Sequence, residues 1–201
     1  MGLTHQHTPA VVEFMPTGPA LHRDELILLN VEYMSWVMAG VERAFGTPPQ
    51  SLLNGQSIAG YVAGKIDSVC GAPPPQGVFY LVRRGGELAG MGGLRRVREG
   101  VAELKRVYVR PACRGARLGA VIVERLLADA RAFGYRQVLL DSAPFMASAH
   151  RLYEAAGFTD CPPYPETEAP PLLHGRWRFM ALSLPAEAAG ENAAGTGVTI
   201  R

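Results

Sequence analysis

A chain of 201 residues, 48% hydrophobic and 19% charged, can bury one sizeable core, which excludes a wholly disordered polypeptide. The net charge is only +2 and no Lys/Arg run reaches five residues, which argues against nucleic acid as a partner. The three cysteines lie far apart without a C-x-x-C, and no apolar run is long enough to span a bilayer, so a cytoplasmic protein with no disulfide framework, no metal and no membrane partner is expected.

Met1 to Pro9 is polar and read as a flexible N-terminus (1–9), with His5 and His7 as solvated tail residues. Ala10 to Phe14 reads as a strand ended by Pro16. From Arg23 to Phe45 the apolar residues Leu26, Leu29, Tyr33, Trp36 and Val37 share one helical face, with Asp24 and Glu25 suited to the first turn. Gly46-Thr47-Pro48-Pro49 stops that helix, and a second one is expected over Ser57 to Cys70 with Ser57 as N-cap. After the stiff Pro73-Pro74-Pro75, the strand Gly77 to Val82 turns through Arg83-Arg84-Gly85-Gly86 into Glu87 to Val97. There Gly90, Gly92 and Gly93 mark a bulge or close packing, and Arg98-Glu99-Gly100 turns again.

Val101 to Ala130 is the organising stretch. Val101 to Val109 is rich in β-formers and ends before Pro111. From Leu118 the apolar positions recur with helical periodicity, and Arg114 to Ala120 between them is a short glycine-containing turn. The first turn of a helix offers unpaired N–H groups and partial positive charge. Gly115 and Gly119 allow close backbone approach, while Arg114 and Arg117 add two charges, so a pyrophosphate is the natural guest. No Gly-Lys-Ser/Thr follows, which excludes a Walker loop. Cys113, beside the turn, reads as a small filler.

Gly134 caps this helix, and Gln137 to Asp141 is a buried-type strand, so a parallel pair and right-handed crossover are expected. A short helix, Met146 to Ala156, is capped by Gly157, and Phe158 opens a further strand. Cys161 to Pro171 is a proline-rich loop and Arg176 to Leu184 a final alternating strand. The tail 185–201 is Ala/Gly/Glu-rich and is expected to be disordered, leaving one domain over 10–184.

The run Arg114, Gly115, Ala116, Arg117, Leu118, Gly119 resembles the pyrophosphate loop Gln/Arg-x-x-Gly-x-Gly/Ala of the GNAT superfamily of acyl-CoA-dependent N-acyltransferases, with Arg117 where that family usually has Gly. The run His150 to Phe158 resembles the family's L-Y-E-x-x-G-F segment, and the element order matches. The resemblance covers most of Ala10 to Leu184, and its specific part is Ala102 to Phe158. It implies an α/β (mixed α+β) GNAT fold, a mostly antiparallel sheet with one parallel pair flanked by about four helices.

The resemblance also implies an acetyl-CoA-dependent N-acetyltransferase acting directly on a primary amine of a small molecule or peptide. The alternative is a non-catalytic acyl-CoA-binding or sensing module, and either leaves room for a homodimer. Cofactor contacts are then expected from Val107, Tyr108, Val109, Arg114, Gly115, Ala116, Arg117, Leu118, Gly119 and Ala120. Met146 stands where the family often has Asn, which leaves that contact to Ser142 or to the backbone. Glu103 is the expected catalytic base, placed on the face of Val109 by the strand's period of two, with an ion pair to Lys105 as its alternative role. Tyr153 is the expected acid for the leaving thiolate, or else a core tyrosine on the stripe Met146, Ala149, Tyr153, Ala156. A backbone N–H near Val107 would stabilise the oxyanion. Tyr33 and Trp36, with Glu32, are expected on the acceptor side, His150 and His174 are alternative bases, and Glu32, Glu166 and Glu168 hint at a cationic acceptor.

Overall fold

The computed structural model describes residues 11–115 and 117–185. The expected flexible N-terminus, Ala10, Ala116 and the tail beyond Pro185 lie outside the described residues. Seven strands form one mixed sheet in the order β1-β2-β3-β4-β5-β7-β6. They are β1 (Val12–Thr17), β2 (Gly77–Arg84), β3 (Glu87–Arg98), β4 (Val101–Val109), β5 (Gln137–Ser142), β6 (Thr159–Asp160) and β7 (Arg178–Ser183). Among the described residues only β4 and β5 pair in parallel, as their connection through a helix requires. The α/β expectation, with one parallel pair, is met.

The helices are α1 (Pro19–Phe45), α2 (Pro49–Leu52), α3 (Ile58–Cys70), α4 (Leu118–Ala132) and α5 (Ala147–Ala155). Ser57 caps α3, its hydroxyl accepting from the Gly60 N–H at 3.1 Å. The turn between β2 and β3 has Gly85 and Gly86 both at positive φ, 58° and 85°, the backbone a two-residue hairpin needs.

Strand alternation sends β2 into two cores. Val78, Tyr80 and Val82 pack with Ile122 and Leu126 of α4, while Phe79 and Leu81 pack with Leu26 and Leu29 of α1 and Ile66 of α3. Each fully buried leucine in these layers contributes about 2 kcal/mol of transfer free energy. A third cluster, Leu139, Tyr164, Ala169 and Phe179, closes the sheet near the proline-rich loop.

Several boundaries differ from the sequence reading. β1 is displaced toward Thr17 and contains Pro16, which is tolerated because β1 is the sheet edge. α1 begins at Pro19 rather than Arg23, and His22, at φ −134° and ψ 42°, breaks its first turn. Asp24 and Glu25 therefore sit beyond a first turn that holds no acid. Glu25 instead pairs with Arg83, and Arg23 with Asp67. Pro49, read as part of a helix stop, opens the single turn α2, where a missing N–H is harmless. Residues 171–176 form a 3₁₀ turn, so β7 starts at Arg178.

Candidate functional site

The site begins with an irregularity in β4. Gly93 is opposite Lys105 and Met91 is opposite Tyr108, so Gly92 alone faces Arg106 and Val107. This is a β-bulge, and Arg106 takes a left-handed φ of 55°. The bulge reverses the parity of the strand. Ala102 and Leu104 pack toward α4, yet Tyr108 packs toward α1, while Val107 and Val109 join the α4 side. Glu103 and Val109 therefore face opposite sides of the sheet, which corrects the same-face expectation.

The parallel pair opens just before the bulge. β4 and β5 are paired only at Val101/Gln137, Ala102/Val138 and Glu103/Leu139. After that β4 stays with β3 and β5 stays with β7. The backbone groups of β4 that face the opening have no strand partner there, a polar edge inside the sheet. The opening is a cavity of about 540 Å³, in the size range of small-molecule sites.

The cavity gathers most of the residues singled out from sequence. Val107, Tyr108 and Val109 line one wall, Leu140, Asp141 and Ser142 the other. Arg114, Gly115, Arg117, Leu118, Gly119 and Ala120 close one end. Leu152 and Tyr153 of α5 and Tyr33 and Trp36 of α1 complete the enclosure. Ala116 lies outside the described residues.

The turn before α4 is built for an acceptor-rich guest. Arg117, the N-cap, takes a left-handed φ of 55°, the conformation that glycine adopts most easily. Gly115 has φ 95° and open space where a Cβ would lie. Among the described residues, no side chain caps the first N–H groups of the 15-residue α4. Arg114 donates to the Val109 carbonyl at 3.2 Å and lies over the Trp36 ring, 5.8 Å from its centroid.

Tyr153 is 7% exposed and packs edge-on against Phe158 at 5.9 Å. Burial, reinforced by Tyr33 and Asp141, raises its hydroxyl pKa above the ordinary tyrosine value. Burial likewise pushes Tyr33 up to about 12.

Glu103 is not in the cavity wall. It is fully buried; the Tyr164 hydroxyl donates to it at 2.6 Å and Arg95 Nε at 2.9 Å. Lys105 Nζ stands 3.6 Å away, so the ion pair weighed as an alternative is present as part of a larger network. Burial raises the Glu103 pKa against the pull of Lys105 and Arg95.

A second cavity of about 110 Å³ adjoins the first and shares Tyr33, Leu104, Arg106 and Asp141 with it. Met34, Val37, Met38, Leu53 and Leu173 give it an apolar side, while Lys105, Arg106, Asp141 and Glu168 supply charge. Burial alone would push the Glu168 carboxyl up, but Lys105, Arg106 and Arg95 hold it down at about 2. Asp141 accepts from Trp177 Nε1 and from Thr167 Oγ1, both at 2.9 Å.

The remaining candidates fall elsewhere. Glu32 pairs with Arg110 at 3.0 Å and Glu166 with Arg98 at 2.8 Å. All three acids that hinted at a cationic acceptor are thus matched by basic partners. His150 reaches Ser142 Oγ at 3.2 Å and His174 the Ala169 carbonyl at 2.8 Å, and neither lines the two cavities. Arg106, Asp141 and Phe145 line the larger cavity and were missed. Asp141 enters the sequence reading only as the last residue of a buried-type strand, and no glycine signals the left-handed residue at 106.

Comparison with known proteins agrees with this architecture. Residues 67–158 match the model of the Acetyltransferase (GNAT) family. An IAA acetyltransferase of Azospirillum brasilense is 36% identical over 87 residues, 43% of this chain and 57% of that protein. The uncharacterized N-acetyltransferase YjgM of Escherichia coli is 30% identical, over 42% of this chain and 52% of its own length. The chain thus spans about half the length of these curated relatives. Among solved structures, a putative acyl-CoA N-acyltransferase from Klebsiella pneumoniae aligns over 87% of this chain and 97% of its own, with a TM-score of 0.59 and 23% identity. The PaiA N-acetyltransferase of Thermoplasma acidophilum, solved in complex with coenzyme A, aligns over 87% of this chain and 99% of its own, with a TM-score of 0.61 and 16% identity.

Proposed function

We propose that this protein, whose residues 67–158 match the GNAT acetyltransferase family model, transfers the acetyl group of acetyl-CoA directly to a primary amine of a small molecule or peptide. The observation that carries this reading is the parting of β4 from β5 beside an uncapped helix N-terminus. A cofactor with a diphosphate and an amide-bearing arm suits both features. The diphosphate accepts from the N–H groups at the start of α4, with Arg114 and Arg117 adding charge. The arm pairs with the free edge of β4 at Val107 to Val109 as an added strand would.

The thioester then lies near the bulge, where the Val107 N–H is a candidate donor to the oxyanion. The amine nitrogen attacks the carbonyl carbon, and the carbon–sulfur bond breaks as the tetrahedral intermediate collapses. The amine's proton must go to a base within reach of both cavities. Asp141 lines both, whereas Glu103 is enclosed by Arg95 and Tyr164. We assign the proton to Asp141 and give Glu103 a positioning role, holding Lys105 and Tyr164 behind the acceptor cavity. Tyr153 is the donor to the leaving sulfur. Its raised pKa keeps the hydroxyl protonated, and the same burial raises the proton affinity of a thiolate beside it, so donor and acceptor are matched.

The test is to mix the protein with acetyl-CoA and a panel of amines and to follow free thiol. Thiol release that depends on an amine supports the reading. Binding of acetyl-CoA with no thiol released by any amine would instead favour a non-catalytic acyl-CoA-binding or sensing module.

A further inference from the structure

The smaller cavity has an unusual charged wall. The Arg106 side chain is 9% exposed, and its Nε is the one fully buried side-chain nitrogen or oxygen without a hydrogen-bond partner among the described residues. Its other contacts are an ion pair, a thioether and the face of the Tyr33 ring, whose centroid is 5.4 Å away. Nη2 meets Glu168 at 3.3 Å, and Nη1 faces the thioether of Met34. A guanidinium carries five N–H donors, and burying them under-partnered is unfavourable. Such a group stands ready for a further oxyanion, and a carboxylate matches its fork.

Its place in the fold decides what that oxyanion belongs to. Arg106 and Asp141 both line the junction of the two cavities, where an acceptor amine would meet the thioester. Each Asp141 oxygen has one protein donor and so one lone pair left for an ammonium. A ligand filling both would present an amine and a carboxylate to the one junction that Arg106 and Asp141 share. The rest of the wall is apolar at Met38, Leu53 and Leu173, its Lys105 and Glu168 pair with each other at 3.1 Å, and about 110 Å³ leaves room for one modest side chain.

We propose that the acceptor is a free α-amino acid with an apolar side chain, its carboxylate on Arg106, its ammonium on Asp141 and its side chain in the smaller cavity. This rests on the acetyl-transfer reading above. In the step itself the ammonium first gives one proton to Asp141, the freed amine nitrogen then bonds to the acetyl carbon as the carbon–sulfur bond breaks, the leaving thiolate takes the Tyr153 proton, and the second nitrogen proton restores Tyr153.

The test compares L-leucine, L-leucinamide, 3-methylbutylamine and L-aspartate as acceptors for acetyl-CoA, with free thiol as the readout. L-leucine should exceed the amide and the plain amine in kcat/KM by about 100-fold, the scale of a buried charge-assisted contact, and should also exceed L-aspartate. In Arg106→Met that preference over the amide and the amine should collapse to within about three-fold. Equal rates for leucine, leucinamide and 3-methylbutylamine in the native protein would overturn the proposal without any variant, as would a preference for aspartate. Activity with lysine or polyamines but not leucine would sink this proposal and leave acetyl transfer standing. No thiol release with any acceptor, although acetyl-CoA binds, would remove both.

Discussion

Tyr153 lines the larger cavity and Glu168 the smaller, the ionisation of both is shifted, and each gives a separable prediction. Tyr153→Phe removes one hydroxyl and leaves the packing against Phe158 in place. Turnover with acetyl-CoA should fall by about 10- to 100-fold while acetyl-CoA affinity, measured by calorimetry, changes little. An unchanged turnover would assign Tyr153 to the core alone. Glu168 concerns stability. Its pKa is depressed from 4.5 to about 2 in the fold, so it stabilises the folded state above the unfolded value and that contribution is lost as pH falls through this window. Glu103 has the opposite sign, because its pKa is raised, and its contribution is lost as pH rises instead. Urea unfolding followed from pH 6 to 2 should therefore show a loss on the order of 2–3 kcal/mol that Glu168→Gln flattens. An identical pH slope in the variant would contradict the assignment of Glu168 to the Lys105 and Arg106 charges.

At the scale of elements, β4 and the turn that follows it govern the site. Val101 to Val109 was legible as a strand because β-formers fill it and a proline follows. The bulge within it was not, since the left-handed residue is an arginine and nothing in its identity announces a positive φ. Every face assignment past Lys105 therefore inverted, and Glu103 was placed beside Val109 when the sheet separates them. The glycines of β3 had been read as a bulge or as close packing, and both occur. Gly92 faces the bulge, and a Cβ on Gly93 would meet the Phe79 ring at 2.3 Å. Gly93→Ala should destabilise the fold by about 1–3 kcal/mol in thermal or urea unfolding, and a neutral result would mean that Phe79 can shift freely. The turn at 114–120 was legible because glycines and the onset of helical periodicity coincide there. Removing both its charges in Arg114→Ala/Arg117→Ala should weaken acetyl-CoA binding by about 10- to 30-fold at low salt, and by less in high salt. Affinity independent of these arginines would move the diphosphate elsewhere.

For the whole molecule, the order of strands and helices was readable because each element announces its own period and its own stops. What the order could not convey is where two paired strands separate. That depends on β4 staying with β3 and β5 with β7 beyond Glu103, a matter of long-range pairing rather than local preference. The cavity between them, and the Arg106 and Asp141 junction at its edge, exist only at this level. Electrostatics at this scale are muted. A net charge of +2 and acids matched by arginines leave the local charges of the cleft to choose the ligand. The most direct measurement is a crystal structure with coenzyme A bound at saturating concentration. The expected result is the diphosphate against the N–H groups at the start of α4, the arm along Val107 to Val109, and the sulfur near Tyr153. Density for the cofactor at any other surface, with the gap between β4 and β5 unfilled, would contradict it.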